Sequence, residues 1–427
     1  MAEENEKGPG PNPTHYEEIF SNRARKMKAS EIRELLKLTQ NPEVISFAGG
    51  LPNPNAFPVV KIKEIINDLI REESGRIFQY GSTEGVPELR EEISNRLKRK
   101  WNIESDKDNI IITVGSQEGL ELLGRLFFGE NSSVIMEAPT YLGALNAFNV
   151  YEPKIVSIPL DDNGMKIDAL EDYLENRSKH GSELKFLYTV PTFHNPAGVC
   201  MSMKRRQRLI DISHEHDLLL VEDDPYGELR YTGEKLPPLK SLDKEDRVVY
   251  LGTFSKTLVP GFRIAWSLGP KQIINKMVIA KQAVNLCTPP FTQHIAKEYL
   301  RRGYIDDHLK KIISLYGRKQ RLMLDSLDKY MPKEYIRWTK AEGGMFVWAT
   351  VANGIDTTEM FQDAITENVA YVTGKSFFAD GSGNNTMRLN FTHPEDDKIV
   401  EGVKRLADVV KTWGDKRKGD HEVITGV

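Results

Sequence analysis

The sequence is short of three things, and each shortage removes a class of function. Of 427 residues only two are cysteine, Cys200 and Cys287. Two thiols cannot staple a chain of this length, so stability is expected from a core and a reducing compartment fits. No Cys/His cluster has zinc-ligand spacing, so no metal site is expected. There is no apolar run of the ~18 residues that a membrane span needs. The opening MAEENEKGPGPNP has no apolar centre of the secretory-signal kind. Nor is there a basic excess: 58 Lys and Arg stand against 62 Asp and Glu, a formal net charge of −4. Nucleic acid is therefore not expected as a partner, because phosphates are neutralised by surplus cations. No membrane association is expected either, and the expected setting is cytoplasmic.

What is present has the pattern of a large α/β protein. A chain this long has a loose prior of two or three domains. Residues 1–13, charged and then Gly/Pro-rich, are expected to be a disordered tail. From Tyr16 to Thr39 the spacing of Ile32, Leu35, Leu36 and Leu38 predicts a helix. Strand-like runs then recur: NIIITV (109–114), SSVIMEA (132–138), KIVSIPL (154–160), KFLYTVP (185–191), LLLVED (218–223), VVYLGTF (248–254) and FRIAWSL (262–268). Helical patterns lie between several of them, at 86–100, 116–128, 168–177 and 202–215. Short apolar strands alternating with helices imply a mostly parallel sheet covered on both faces. Helix dominates from about 270 to 330. Shorter strands (345–349, 369–372, 386–391), a helix near 357–368 and a last helix near 394–412 predict a smaller α+β domain. Residues 413–427 read as a loose polar tail.

In open α/β sheets, ligands sit beyond the carboxyl ends of the strands, so the residues that follow the strand-like runs carry the functional information. After NIIITV comes GSQEGLELL. Ser116 and Gln117 would open a helix whose free N–H groups attract an anion; a plain N-cap by Ser116 explains the same letters. After SSVIMEA, Tyr141 could stack on a flat ring or fill core. After KFLYTVP, Asn195 precedes a proline, as turn residues do. His194 beside it reads as a loop histidine, since spacing suggests no carboxylate partner. After LLLV, three acids stand in a row, Glu222, Asp223 and Asp224. A carboxylate there is costly to bury alone; a metal or a protonated ring nitrogen could accompany it.

The stretch GTFSKTLVPGFRIAW (252–266) adds Lys256 just past a buried strand, with Thr253, Ser255 and Arg263 around it. A desolvated lysine becomes a nucleophile toward carbonyls, and arginine is a rigid fork suited to phosphate. A ligand with an aldehyde, a phosphate and a ring nitrogen would engage the amine, the guanidinium and a carboxylate together. Pyridoxal 5′-phosphate is such a ligand.

Nine segments now carry a family resemblance: SFAGGLPNPNAFP, QYGSTEGVPELREEI, TVGSQEGLELL, EAPTYLGAL, YTVPTFHNPAG, VEDDPYGELRY, GTFSKTLVPGFRIAW, AEGGMFVW and MRLNF. The chain resembles the fold-type I, class I/II aminotransferases over roughly residues 16–412, and is most similar to the branch of kynurenine/α-aminoadipate and archaeal aromatic aminotransferases. The resemblance implies an aspartate-aminotransferase-like architecture: a large pyridoxal-phosphate domain (59–310) with a mostly parallel seven-stranded sheet between helices, and a small α+β domain (311–412) to which residues 14–58 contribute.

It also implies roles. Lys256 would bind the cofactor aldehyde covalently and shuttle the proton. Asp223 would partner the ring nitrogen, and Tyr226 and Asn195 the ring's 3-hydroxyl oxygen. Ser116, Gln117, Thr253, Ser255 and Arg263 would form the phosphate cup, with Tyr141 stacked on the ring. Tyr80 would reach the phosphate in the other subunit of a homodimer with shared active sites. Arg388, with Asn195 and the backbone at Gly50, would grip the substrate α-carboxylate. Arg33 resembles a mobile arginine that meets substrate side chains; a helix-surface arginine explains it equally. The sequence departs from the usual NPTG at Ala197 and carries Thr253 where serine is common. The expected reaction is a ping-pong transamination from an aromatic L-amino acid to 2-oxoglutarate, with kynurenine, 2-aminoadipate and leucine not separated from it. Another pyridoxal-phosphate chemistry, such as a lyase, stays open. A DNA-binding regulator would need a basic recognition element that the chain does not show.

Overall fold

The computed structural model describes residues 14–26, 41–179 and 181–424. The expected disordered tail and Arg33, with the apolar side of the first predicted helix, lie outside the described residues. Two short helices, Thr14–Ile19 and Asn22–Lys26, precede the first strand.

The strands in chain order begin with β1 (Ile45–Ser46), followed by β2 (Ile110–Val114), β3 (Ser132–Ala138), β4 (Lys154–Asp161), β5 (Gly164–Met165), β6 (Glu183–Thr189), β7 (Leu220–Asp224), β8 (Val248–Thr253) and β9 (Ile264–Leu268). One sheet takes the order β2-β9-β8-β7-β6-β3-β4-β5. It contains the seven expected strands, plus the two-residue β5 as a hairpin on the edge of β4. The pairs β3–β4, β3–β6, β6–β7 and β7–β8 are parallel. Only β9 runs against its long neighbours, β8 and β2.

Burial explains why the interior strands read as apolar runs. Every residue of β7, β8 and β9 is buried, because helices cover both faces. The helices Pro87–Trp101, Pro290–Arg301 and Tyr304–Tyr330 supply one layer, through Leu89, Ile93, Tyr299 and Ile312. On the other face Ser116–Phe127, Leu142–Asn149 and Lys271–Gln282 pack Leu120, Leu123, Phe148 and Met277.

The smaller unit holds β10 (Ile336–Trp338), β11 (Phe346–Val351), β12 (Val369–Ala370), β13 (Val372–Thr373) and β14 (Thr386–Asn390). Four of them form an antiparallel sheet in the order β10-β11-β14-β13. The N-terminal segment joins this unit, since β1 pairs in parallel with β12. That pairing matters for the site: the chain leaves β1 toward Ala48 and Gly50, while Arg388 sits in the middle of β14.

The last helix corrects the expected polar tail. It runs Asp396–Ile424 rather than stopping near 412. Beyond Thr412, Trp413 packs on the small core and its indole N–H donates to Asp363 at 2.8 Å. The Tyr335 hydroxyl donates to Asp415 at 2.7 Å, and Gly414 is buried so closely against Tyr335 that a Cβ would meet the ring at 2.3 Å. Truncation after Thr412 removes both hydrogen bonds and the indole burial. It is expected to lower unfolding free energy by about 2–4 kcal/mol, read as a lower denaturant midpoint.

Candidate active site

The parallel strands β2, β3, β6, β7 and β8 all end at one edge of the sheet. β9, running the other way, begins there. The chain therefore leaves β8 at Thr253, turns through Lys256, and re-enters the sheet at Ile264 directly after Arg263. This single reversal brings the amine and the guanidinium to the same edge. Around it opens a cavity of about 390 Å³, lined by Gly50, Ser116, Gln117, Tyr141, Asn195, Asp223, Tyr226, Thr253, Ser255, Lys256, Arg263 and Arg388, together with Val190, Pro225, Pro260 and Phe346. All the expected site residues are brought together except Tyr80, which is 80% exposed.

At one end of the cavity the structure prepares for an anion. The helix Ser116–Phe127 has Gly115 as N-cap, at φ +73°. Ser116 is thus the first helical residue and not the cap, which corrects one of its two readings, and the cap offers no side chain to the free N–H groups. Glycine is required for a second reason: a Cβ at 115 would stand 2.1 Å from Arg263 Nη2. Arg263 itself sits at φ +54°, a conformation that costs a non-glycine residue energy and recurs at functional sites. Its Nη1 lies 3.5 Å from Ser255 Oγ and 3.3 Å from the Pro260 carbonyl. Thr253 Oγ1 donates to Ser255 Oγ at 3.0 Å and accepts from the Ser255 N–H at 3.1 Å. Gln117 is turned outward, donating to the Gly143 carbonyl at 2.7 Å.

Lys256 Nζ donates to the Gly50 carbonyl at 2.8 Å. Burial, with Arg388 and Arg263 nearby, depresses its pKa to about 8.

The three acids separate by strand alternation. Glu222 accepts the Leu239 and Lys240 N–H groups at 2.8 and 2.9 Å. Asp224 accepts the Tyr250 hydroxyl at 2.9 Å and the Gly227 N–H at 2.8 Å. Asp223, between them, faces the cavity. Its Oδ2 accepts the Tyr188 hydroxyl at 2.9 Å, and its Oδ1 is buried without a partner. Burial pushes its pKa from the ordinary 3.8 up to about 7; the Tyr188 hydrogen bond opposes this and Asp224 adds to it. Among the described residues no cluster could hold a metal ion.

The far end is built around Arg388. Nη1 donates to Asn195 Oδ1 and Nη2 to the Ala48 carbonyl, both at 2.9 Å, while Nε is buried and unpartnered. The guanidinium lies 4.2 Å from the centre of the Phe346 ring and 5.1 Å from that of Phe377. Burial lowers its pKa to about 10. Asn195 Nδ2 lies 3.4 Å from the Tyr226 hydroxyl, and Tyr226 meets Phe346 edge-on at 5.9 Å. Tyr141 stands in the wall beside them, its phenol pushed up by burial and by Asp223.

Three residues lining the cavity thus each carry a buried polar atom without a partner: Ser116 Oγ, Asp223 Oδ1 and Arg388 Nε. The first can donate to a phosphate, the second accept from a protonated ring nitrogen, the third donate to a carboxylate. These residues fit pyridoxal phosphate and an amino acid.

The family model described as aminotransferase class I and II matches residues 43–406. The chain belongs to the class I and II aminotransferases. Among curated relatives, an aromatic-amino-acid aminotransferase of Thermococcus litoralis is 50% identical over 396 residues, covering 93% of this chain and 95% of the relative. A crystal structure of a kynurenine aminotransferase from Pyrococcus horikoshii, in complex with PMP, superposes with a TM-score of 0.90 at 48% identity, covering 93% of this chain and 98% of that one. An α-aminoadipate aminotransferase from Thermus thermophilus, complexed with N-(5′-phosphopyridoxyl)-L-leucine, gives 0.86 at 37% identity, covering 93% and 98%. The cofactor of this aminotransferase is pyridoxal 5′-phosphate, and its fold is the aspartate-aminotransferase-like one.

Several residues of the aminotransferase site had no signal in the sequence. Tyr188 and Phe346 sit inside strand-like runs and read as core. His194 has the carboxylate partner that spacing did not suggest: its Nε2 lies 3.1 Å from Glu137 Oε2, and both side chains are 1% exposed. Glu137 also accepts the Thr189 hydroxyl at 2.6 Å and the Val190 N–H at 2.9 Å. His194 Nδ1 accepts the Ala197 N–H at 3.3 Å, and Thr339 Oγ1 donates to the Ala197 carbonyl at 2.8 Å. The turn that presents Asn195 is held by these contacts, with alanine at 197.

Asp223 sets a pH dependence for the cofactor-free protein. A pKa raised on folding makes a contribution that is fully present below the unfolded value and is lost as pH rises through the folded one. Stability of the native sequence should therefore fall relative to Asp223→Asn between pH 4 and 7, by up to about 4 kcal/mol, and the difference should level off above. Denaturant titrations of both cofactor-free proteins across that range measure it. A difference that does not change with pH would contradict the buried-carboxylate assignment.

Proposed function

We propose that the protein moves the amino group of an aromatic L-amino acid to 2-oxoglutarate in a ping-pong exchange, as a homodimer with shared active sites. The observation that carries this reading is the convergence on one cavity of a desolvated amine, a half-satisfied carboxylate and a guanidinium with an unpartnered N–H. Bound pyridoxal phosphate supplies an aldehyde and an electron-accepting ring. Lys256 gives up its proton near neutral pH, because burial and two arginines disfavour its charge. It can therefore act as the nucleophile toward the aldehyde and as the base for the substrate's α-proton. Asp223 Oδ1 would accept the proton of the ring nitrogen. Asn195 and Tyr226 would address the ring oxygen, and Tyr141 would lie against the ring. Ser116, Gln117, Thr253, Ser255 and Arg263 would hold the phosphate. Arg388, held against the rings of Phe346 and Phe377, would orient the α-carboxylate and with it the Cα–H bond.

Aromatic donors are favoured by the 50% identical relative of that name and by Phe346 and Tyr141 in the cavity wall. A second reading, kynurenine or 2-aminoadipate as donor, is favoured by the structural neighbours named for those activities. The dimer is supported by exposed apolar surface: Phe78 stacks on Phe291 yet is 67% exposed, and Tyr80 follows it at 80%. Such an exposed patch marks an interface. Tyr80 would then complete the phosphate site of the second copy. Among the described residues no helix is long and apolar enough to cross a membrane.

Turnover of a panel of amino acids with 2-oxoglutarate tests the assignment. Phenylalanine, tyrosine and tryptophan should exceed 2-aminoadipate in kcat/KM; the reverse order would select the second reading. Lys256→Ala should abolish turnover and the visible absorbance of the reconstituted protein. Arg388→Ala should raise KM about 10- to 100-fold for every amino acid alike, as expected when a charge-assisted hydrogen bond is lost. A loss confined to one donor would move Arg388 to a side-chain contact.

A further inference from the structure

We propose that Tyr188 is a positioning residue for this reaction: its hydroxyl holds one oxygen of the Asp223 carboxylate, keeps that carboxylate ionised, and turns the other oxygen toward the cofactor's ring nitrogen. The inference rests on the reading of Asp223 as the ring-nitrogen partner.

Strand register makes the contact specific. In the parallel pair β6–β7, Tyr188 lies opposite Val221. Asp223 is two residues further along β7 and so on the same face. The side chain at 188 must therefore reach forward by one same-face repeat, about 7 Å. A phenol spans that distance and ends in a donor, whereas Phe ends in none. The observed bond from the Tyr188 hydroxyl to Asp223 Oδ2 is 2.9 Å. The ring is fixed edge-on against Phe148, with centroids 5.8 Å apart, and is fully buried.

The electrostatic setting gives the hydroxyl a large share of the work. The groups acting on Asp223 are Tyr188 from β6 and Asp224 beside it on β7; Tyr141 and Tyr226 face it from the cavity wall. None of these is a cation. Tyr188 is the one among them that favours the ionised carboxylate. Burial and Asp223 itself push the phenol well above its usual range, so it stays a donor at every working pH. With Oδ2 occupied, only Oδ1 is free, and it is the unpartnered oxygen in the cavity. The carboxylate thereby has one accepting direction left. Asp224, by contrast, is bonded to Tyr250 and Gly227 and has no atom in the cavity wall.

The test uses the full chain in four forms: native, Tyr188→Phe, Asp223→Asn and the double variant. Tyr188→Phe keeps the ring and its packing. Titration of each cofactor-free protein with pyridoxal phosphate should show affinity about tenfold weaker for Tyr188→Phe than for the native chain. In the Asp223→Asn background the same change should alter affinity less than twofold, because the hydroxyl acts through that carboxylate. The pH at which the Asp223-dependent stability difference levels off should rise by about one unit in Tyr188→Phe, since a carboxyl with one donor fewer ionises less readily. In the reconstituted protein kcat should fall with KM for the amino acid little changed. Native affinity and an unmoved pH profile in Tyr188→Phe would overturn the proposal. So would an equal loss in both backgrounds, which marks a packing role. If Asp223→Asn itself binds the cofactor as tightly as the native chain, the reading of Asp223 fails and the proposal fails with it.

Discussion

Lys256, Arg263 and Arg388 share a cavity with a single carboxylate, Asp223. Three like charges at close range, partly withdrawn from water, repel one another and lose hydration. The structure carries that cost in a lysine that gives up its proton easily, and offsets part of it by laying Arg388 against two aromatic rings. A dianionic cofactor at one end and a substrate carboxylate at the other supply the missing counter-charge. The site is thus electrostatically incomplete without its ligands, and burial together with the two arginines lowers the Lys256 pKa.

Two sheets of different character hold these charges in place. The large sheet contributes Lys256, Asp223, Asn195 and Arg263 through strand termini, where the apolar runs give way to polar residues around the cavity. The small unit contributes Arg388 from inside a strand and the Ala48 and Gly50 carbonyls from the end of a two-residue one. Lys256 and Arg388 both donate to that short N-terminal stretch. The residues at 45–50 are therefore as much a part of the site as the residues around Lys256, although two hundred positions lie between them.

The strand ends were legible in the sequence for a simple reason. A strand buried on both faces is an apolar run, and the first charged or glycine residue after it marks the sheet edge. Lys256, Asp223, Ser116 and Asn195 stand at or just past the ends of such runs, and Arg263 stands at the start of the next one. Tyr188, Glu137 and Phe346 carry no such mark, because their importance depends on register and on which face they point to, and neither follows from a single run of letters. His194 was passed over because its partner is on another strand, more than fifty positions away. β5 and β10 have no signal because two or three residues carry no period, and the expected strand at 369–372 divides into β12 and β13. The last helix was cut short at 412 because Lys, Asp and Gly replace the apolar stripe beyond it; the contacts of Trp413 and Asp415 that extend it are tertiary.

The antiparallel return of β9 fixes the number of residues between the amine and the phosphate-side guanidinium. Both ends of the segment 254–263 are pinned, at Thr253 by pairing with Ala265 and at Gly115 by the close approach of Arg263. An inserted or deleted residue between 256 and 263 would put amine and guanidinium out of step with a cofactor of fixed length, even with every chemical group still present. In this part of the chain the count of residues is itself a structural constraint, set by two fixed ends.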